Sequence, residues 1–143
     1  GTGVKKAMQL AIDEAGVTPQ EVDYINTHGT AAPIGDVAEV KAIQQLFGEH
    51  AYALNITSSK SMLGHTMGAA GAVEAIISIL SMQQGMVTPT INHEQGDEDP
   101  NIDYRLNFTF NQAQQRNIHY AMSNNYGFGG QNACLLFKNP NIQ

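Results

Sequence analysis

Two imidazoles and one ammonium group stand out as the side chains able to do chemistry: His28 in "NTHGT", and Lys60 with His65 in "KSMLGH". Each follows a stretch rich in strand formers, and in α/β folds sites collect at the carboxyl ends of strands. Phe128 of "YGFGGQN" also follows a predicted strand, so all of these residues are expected to face one cavity. Two histidines on separate strand ends can both donate hydrogen bonds to one developing negative charge, as in enolate or oxyanion stabilisation. A lysine beside them disfavours their protonated forms and keeps them neutral donors. Glu74 lies nine residues beyond His65, about two and a half turns into the next helix, where it can neutralise or orient Lys60.

Taken singly, each of these residues has a plainer reading. His28 alone is a hydrogen-bonded residue at a strand end, Lys60 alone a solvated charge, and "GFGG" a tight turn. Two histidines without a third ligand at helical or loop spacing fall short of a metal site. Cys134, flanked by apolar residues in "NACLLFK", is expected to be a buried, inert thiol. Ser58, Ser59 and Ser61 lack a G-x-S-x-G signature. His50, His93 and His119 are expected at the surface without partners.

The elements that must carry these groups follow from periodicity. Val4, Ala7, Met8, Ala11, Ile12 and Ala15 form one helical stripe that Gly16 is placed to end. Thr18-Pro19-Gln20-Glu21 reads as a capping box opening a very short helix before a strand over Val22 to His28. Asp36 with Glu39 predicts the start of a helix whose face carries Val40, Ile43 and Phe47. "YALNITSS" predicts the next strand, and Ala69, Ala70, Val73, Ile76, Ile77 and Leu80 the stripe of a helix ending at Gly85. Thr88 to Asn92 is expected to be extended, "HEQGDEDPN" a surface loop, and Ile118 to Ser123 and Ala133 to Lys138 a closing pair of strands. The pattern is a single α/β unit.

Composition bounds the function classes. The 143 residues are 42% hydrophobic and 14% charged, as for a globular domain with a core. A formal charge of −6 with scattered basic residues argues against nucleic acid. No apolar stretch reaches the roughly 20 residues that span a bilayer. One cysteine fits a reducing compartment, so a cytoplasmic protein with no membrane partner is expected. The chain opens Gly1-Thr2-Gly3 and enters a helical pattern almost at once, so it is expected to be part of something longer.

"NTHGTAAPIGDVAEVKAI", "SSKSMLGHTMGAAGAVEAI", "PTIN" and "SNNYGFGGQNACLLF" together resemble the carboxyl-terminal half of the elongating β-ketoacyl-acyl-carrier-protein synthases, in order and spacing along nearly the whole chain. The resemblance implies a thiolase-like fold, in which two α/β halves pack as αβαβα layers, with residues 1–143 forming the second half. It places the family's nucleophilic cysteine in the first half, outside this chain, and Cys134 is not its replacement. His28 and His65 fall on the catalytic histidine pair, Lys60 on the family's lysine, and Glu74 on the acidic residue of its supporting network. Phe128 falls on the gating phenylalanine, whose backbone amide is expected to help form an oxyanion hole, and Thr30 on a threonine that contacts the pantetheine arm. The family usually carries "HGTST", whereas Ala31 and Ala32 follow Thr30 here, so pantetheine contact is expected to be weaker or differently arranged. Tyr126 stands where the family often has Phe.

The activity implied is decarboxylative condensation of a malonyl carrier protein with an acyl thioester in fatty acid synthesis, with no cofactor beyond the phosphopantetheine that substrates carry. Acyl carrier protein, the first half and a second copy in a homodimer are the implied partners. Given the negative charge, the docking patch for an acidic carrier is expected mainly on the first half or the dimer mate. A polyketide-type ketosynthase and a non-catalytic partner subunit like the chain-length factors remain the alternatives.

Overall fold

The computed structural model describes residues 1–142. The first helix, α1 (Thr2–Ala15), ends where Gly16 turns left-handed at φ 68° and donates back into the last turn. The capping box forms, with Thr18 N donating to Glu21 Oε2 at 2.7 Å, and opens a short 3₁₀ turn into β1 (Val22–Asn26). Helix α2 (Pro33–Phe47) begins three residues before Asp36, because the fixed φ of Pro33 suits the first helical position. Strand β2 (Asn55–Thr57) is shorter than "YALNITSS", since residues 48–53 coil into a 3₁₀ turn first. Next come a single-turn helix α3 (Lys60–Leu63), helix α4 (Ala70–Gln84) and strand β3 (Met86–Val87). Strand β4 (Gln114–Gln115) precedes the hairpin of β5 (Tyr120–Tyr126) and β6 (Asn132–Lys138).

The main sheet has the order β2-β1-β5-β6. Strand β1 is parallel to β2 and β5, and β6 returns antiparallel beside β5. Strands β3 and β4 form a small antiparallel pair, so the stretch expected to be extended over Thr88 to Asn92 lies just beyond β3, with Thr90 bridging Phe110.

Helices α1 and α2 cover one face, where Met8, Ile12, Ile43 and Phe47 pack on Val22, Ile25 and Met122. Helix α4 covers the other, where Met82 meets Tyr24 and Ala121. A register shift between Val22 and Tyr24 explains how β1 serves both cores. It places Val22 and Ile25 on the α1/α2 side and turns Tyr24 toward α4.

Helix α4 departs from the amphipathic expectation. The side chains it buries are Ala70, Glu74, Ser78, Ser81 and Met82, whereas Ile76, Ile79 and Leu80 are 58%, 38% and 47% exposed. Glu74 must face inward to meet Lys60, and that rotation points the aliphatic stripe outward. No helix among the described residues is long and apolar enough to cross a membrane.

Ile25 is fully buried at the centre of the larger core. Replacing it with Ala is expected to cost about 2–5 kcal/mol in denaturant unfolding, through lost burial and the cavity left behind.

Candidate active site

Strands β1 and β2 run parallel and release their chains at the same end of the sheet, where both histidine loops begin. Thr27 extends the pairing by donating its backbone N–H to Thr57 O at 2.8 Å, and its hydroxyl reaches the same oxygen. Beyond it the chain turns at Gly29, whose φ is +36° and where a Cβ would stand 2.7 Å from the Ser58 side chain. Only glycine fits that close approach. The Gly29 carbonyl accepts from Ser58 Oγ at 2.7 Å, which ties the two loops together.

The buried carboxylate of Glu39, on the inner face of α2, grips this turn. Its two oxygens accept from His28 N at 3.0 Å and Gly29 N at 3.2 Å, and Asn124 Nδ2 lies 3.4 Å from the first. Burial outweighs these donors and pushes the Glu39 carboxyl up to about 7.

His28 is partly buried and its ring is held as firmly as its backbone. Nδ1 accepts from the Tyr126 backbone N–H at 3.2 Å. His65, on the exposed loop after α3, has the same arrangement, with Nδ1 accepting from Met67 N at 3.2 Å. An imidazole nitrogen that accepts carries no hydrogen, so each neutral ring presents Nε2–H as its donor. The ring centroids are 5.7 Å apart and the rings nearly perpendicular. Burial, and then the Lys60 charge, lower the pKa of His28 below the ordinary histidine value, which keeps the ring neutral near pH 7.

Lys60 is not a solvated charge. Its ammonium is buried and bonds Glu74 Oε1 and Oε2 at 3.0 and 2.9 Å and Asn125 Oδ1 at 3.1 Å. Burial raises the Glu74 carboxyl, and the Lys60 contact opposes that shift. The expected neutralising role of Glu74 is thus present as geometry. A cleft of about 590 Å³ opens between these loops, lined by Thr30, Asp36, Lys60, His65, Tyr104 and Phe110 among others; His28 was expected to face it with them but does not line it, its ring turning to Tyr126 instead.

Phe128 does not join this cluster. The turn at Gly129 and Gly130, with φ near 80°, leaves its ring 96% exposed and outside the cleft. Three other histidines have partners where none was expected. His50 Nε2 bonds Val22 O at 2.7 Å, His93 stacks on Phe110 at 3.8 Å, and His119 meets Asp23 at 3.3 Å, because each packs where a loop crosses a strand end or an aromatic side chain. Cys134 is half-buried rather than fully buried as expected, and its thiol is pushed up to about 12 by burial and then by Glu39, which keeps it protonated.

Glu39, Asn124 and Asn125 complete the site and were not singled out by motif. Glu39 lies four residues before Ile43 on the core-facing stripe, a carboxylate where an apolar residue belongs. The asparagine pair lies in β5 a short way beyond the apolar Ala121 and Met122.

Residues 1–94 match the family described as beta-ketoacyl synthase, C-terminal domain, and the chain belongs to that family. It is 51% identical over 138 residues to 3-oxoacyl-[acyl-carrier-protein] synthase 2 of Staphylococcus aureus strain COL, covering 96% of this chain and 32% of that protein. The chain therefore spans about a third of the length of the curated relatives it matches. A beta-ketoacyl synthase from Burkholderia phymatum superposes with a TM-score of 0.88 at 37% identity, over 99% of this chain and 33% of that one. A structure described as a type II polyketide synthase acyl-carrier protein in complex with its ketosynthase bound to the hexaketide gives 0.88 at 31%, over 95% and 33%. The fold is thiolase-like.

Two outcomes follow from the buried carboxylates. Because the Glu39 pKa is raised in the folded state, its proton stabilises the fold at low pH. That contribution is complete below about 4.5 and lost as pH rises through about 7. Stability is expected to fall across that window in the parent protein, and Glu39→Gln to flatten it, read by urea unfolding at a series of pH values. Glu74→Gln leaves the buried Lys60 ammonium without its counter-charge and is expected to cost about 3–5 kcal/mol in the same measurement.

Proposed function

We propose that this chain is the carboxyl-terminal part of a 3-oxoacyl-[acyl-carrier-protein] synthase that condenses malonyl carrier protein with an acyl thioester in fatty acid biosynthesis. The observation that carries the reading is the pair of imidazoles in ring contact, each accepting a backbone N–H at Nδ1 and so left with Nε2–H as donor, beside the buried Lys60–Glu74 pair. The names of the relatives point the same way.

In this reaction the malonyl carboxylate leaves as CO₂, and the electron pair of the broken C–C bond passes to the thioester as an enolate. His28 and His65 hold the enolate oxygen through their Nε2–H groups, preorganised donors aimed at charge that develops only as the bond breaks. The enolate carbon then attacks the acyl carbonyl held on the nucleophile. A new C–C bond forms, the bond to the nucleophile breaks, and the nucleophile recovers its electron pair. The nucleophile belongs to the preceding part of the protein, since the Cys134 thiol is held protonated by burial.

Burial and the Lys60 charge keep His28 unprotonated, Thr30 at the cleft wall contacts the pantetheine arm, and Phe128 gates the site once the first half covers its exposed ring. No cofactor is needed beyond the phosphopantetheine of the substrates. A cytoplasmic homodimer served by acyl carrier protein fits this reading, as does a first half packed against the outward stripe of Ile76, Ile79 and Leu80. Partner subunits without chemistry have no use for His28, Lys60 and His65 together, which disfavours a chain-length-factor role.

In the full-length protein, His65→Ala is expected to slow malonyl decarboxylation by about 10²–10³-fold, the scale for removing one such donor. Release of labelled CO₂ measures it, and an unchanged rate overturns the assignment.

A further inference from the structure

Strand β5 carries two consecutive asparagines, Asn124 and Asn125, just before its last residue, and the two-residue period of a strand sends them to opposite faces of the sheet. Asn124 turns to α2 and Glu39. Asn125 turns the other way. Its carboxamide oxygen accepts from Lys60 Nζ at 3.1 Å, and its amide nitrogen reaches Glu74 Oε1 at 3.5 Å. An ammonium has three hydrogens to place, and the two Glu74 oxygens take two of them. The Asn125 oxygen is the third acceptor, and without it the lysine head is free to pivot about Glu74.

The next residue, Tyr126, donates its backbone N–H to His28 Nδ1. One short strand segment therefore holds both the lysine and the histidine. The groups facing His28 are Lys60 from α3, His65 from the loop that follows it, Tyr126 from β5, and Glu39 from α2, which takes the His28 backbone N–H. Asn125 is the neutral dipole among them.

We propose that Asn125 is a positioning residue which, by taking the third hydrogen of the Lys60 ammonium one residue before the backbone N–H that holds His28 Nδ1, sets the proton affinity of His28. Burial and Lys60 depress the pKa of that ring, and the Asn125 contact opposes them. The side chain at 125 thus tunes the pH below which the site loses its neutral donor. Protonation is costly there in a second way. An imidazolium carries a hydrogen on Nδ1, which would face the Tyr126 N–H, donor against donor.

The kinetic half of the test rests on the decarboxylation reading above, and the spectroscopic half does not. His28 in the full-length protein is titrated by NMR with ¹³C-labelled histidine, its signal assigned by loss in His28→Gln. Parent, Asn125→Asp and Asn125→Ser are compared, and the pH profile of malonyl decarboxylation is recorded beside each. Asn125→Asp is expected to raise the His28 midpoint by about one unit or more, as a carboxylate within a few ångströms does. The acid limb of kcat/KM should move with it while KM stays put. Asn125→Ser removes the carboxamide and is expected to lower the midpoint, which decides the matter should the Asp variant fail to fold beside Glu74.

A folded Asn125→Ser protein with an unmoved midpoint, or with activity reduced equally at every pH, overturns the proposal. A midpoint that moves in a protein that decarboxylates no malonyl thioester upholds the positioning role and removes the reaction assigned to the site.

Discussion

The site is organised around one buried ion pair. Lys60 and Glu74 meet at 2.9 Å with almost no solvent on either head group, and taking two charges out of water is tolerable only if every lone pair and hydrogen is answered. Three elements are recruited to do so. Lys60 opens α3 directly after β2, Glu74 comes from the second turn of α4, and Asn125 comes from the end of β5. That requirement sets how α4 is rotated about its axis. The helix turns a glutamate and two serines to the core and its isoleucines outward, against the preference its sequence would have alone. The helix thus buries Glu74, Ser78 and Ser81 and displays Ile76, Ile79 and Leu80.

Both histidines rest on a second constraint, the backbone N–H that each ring accepts at Nδ1. A peptide N–H cannot change its protonation state, so it selects one tautomer more reliably than a titratable partner would. Lys60 adds the electrostatic half by disfavouring the imidazolium at His28. Glu39 works one layer back. It touches neither ring, yet by binding two consecutive N–H groups at the turn it decides where the His28 ring begins.

Most of the scaffold could be read from the sequence because it is local. The stripe ending at Gly16, the capping box at Thr18 and the closing strand pair all rest on short-range patterns, and the structure holds them. The strand over "YALNITSS" shrank because a 3₁₀ turn competes for its first residues, a contest that propensity does not settle. Of the site, His28, His65, Lys60 and Glu74 could be read from spacing and resemblance, and the structure brings them together. Glu39, Asn124 and Asn125 could not, since their meaning lies in partners 10 to 85 residues away across the sheet. The burial of Lys60 was hidden for the same reason, because nothing near it in sequence says that an acid and an amide will close over it.

The central claim is that a backbone N–H occupies Nδ1 of both His28 and His65, which leaves the Nε2–H of each ring as its donor. The most direct measurement is the ¹⁵N spectrum of ¹⁵N-labelled histidine in the full-length protein at pH 7, with each ring assigned by substitution. The account requires a non-protonated Nδ1 and a protonated Nε2 on both rings. An imidazolium at either position, or a ring with its hydrogen on Nδ1, would contradict it.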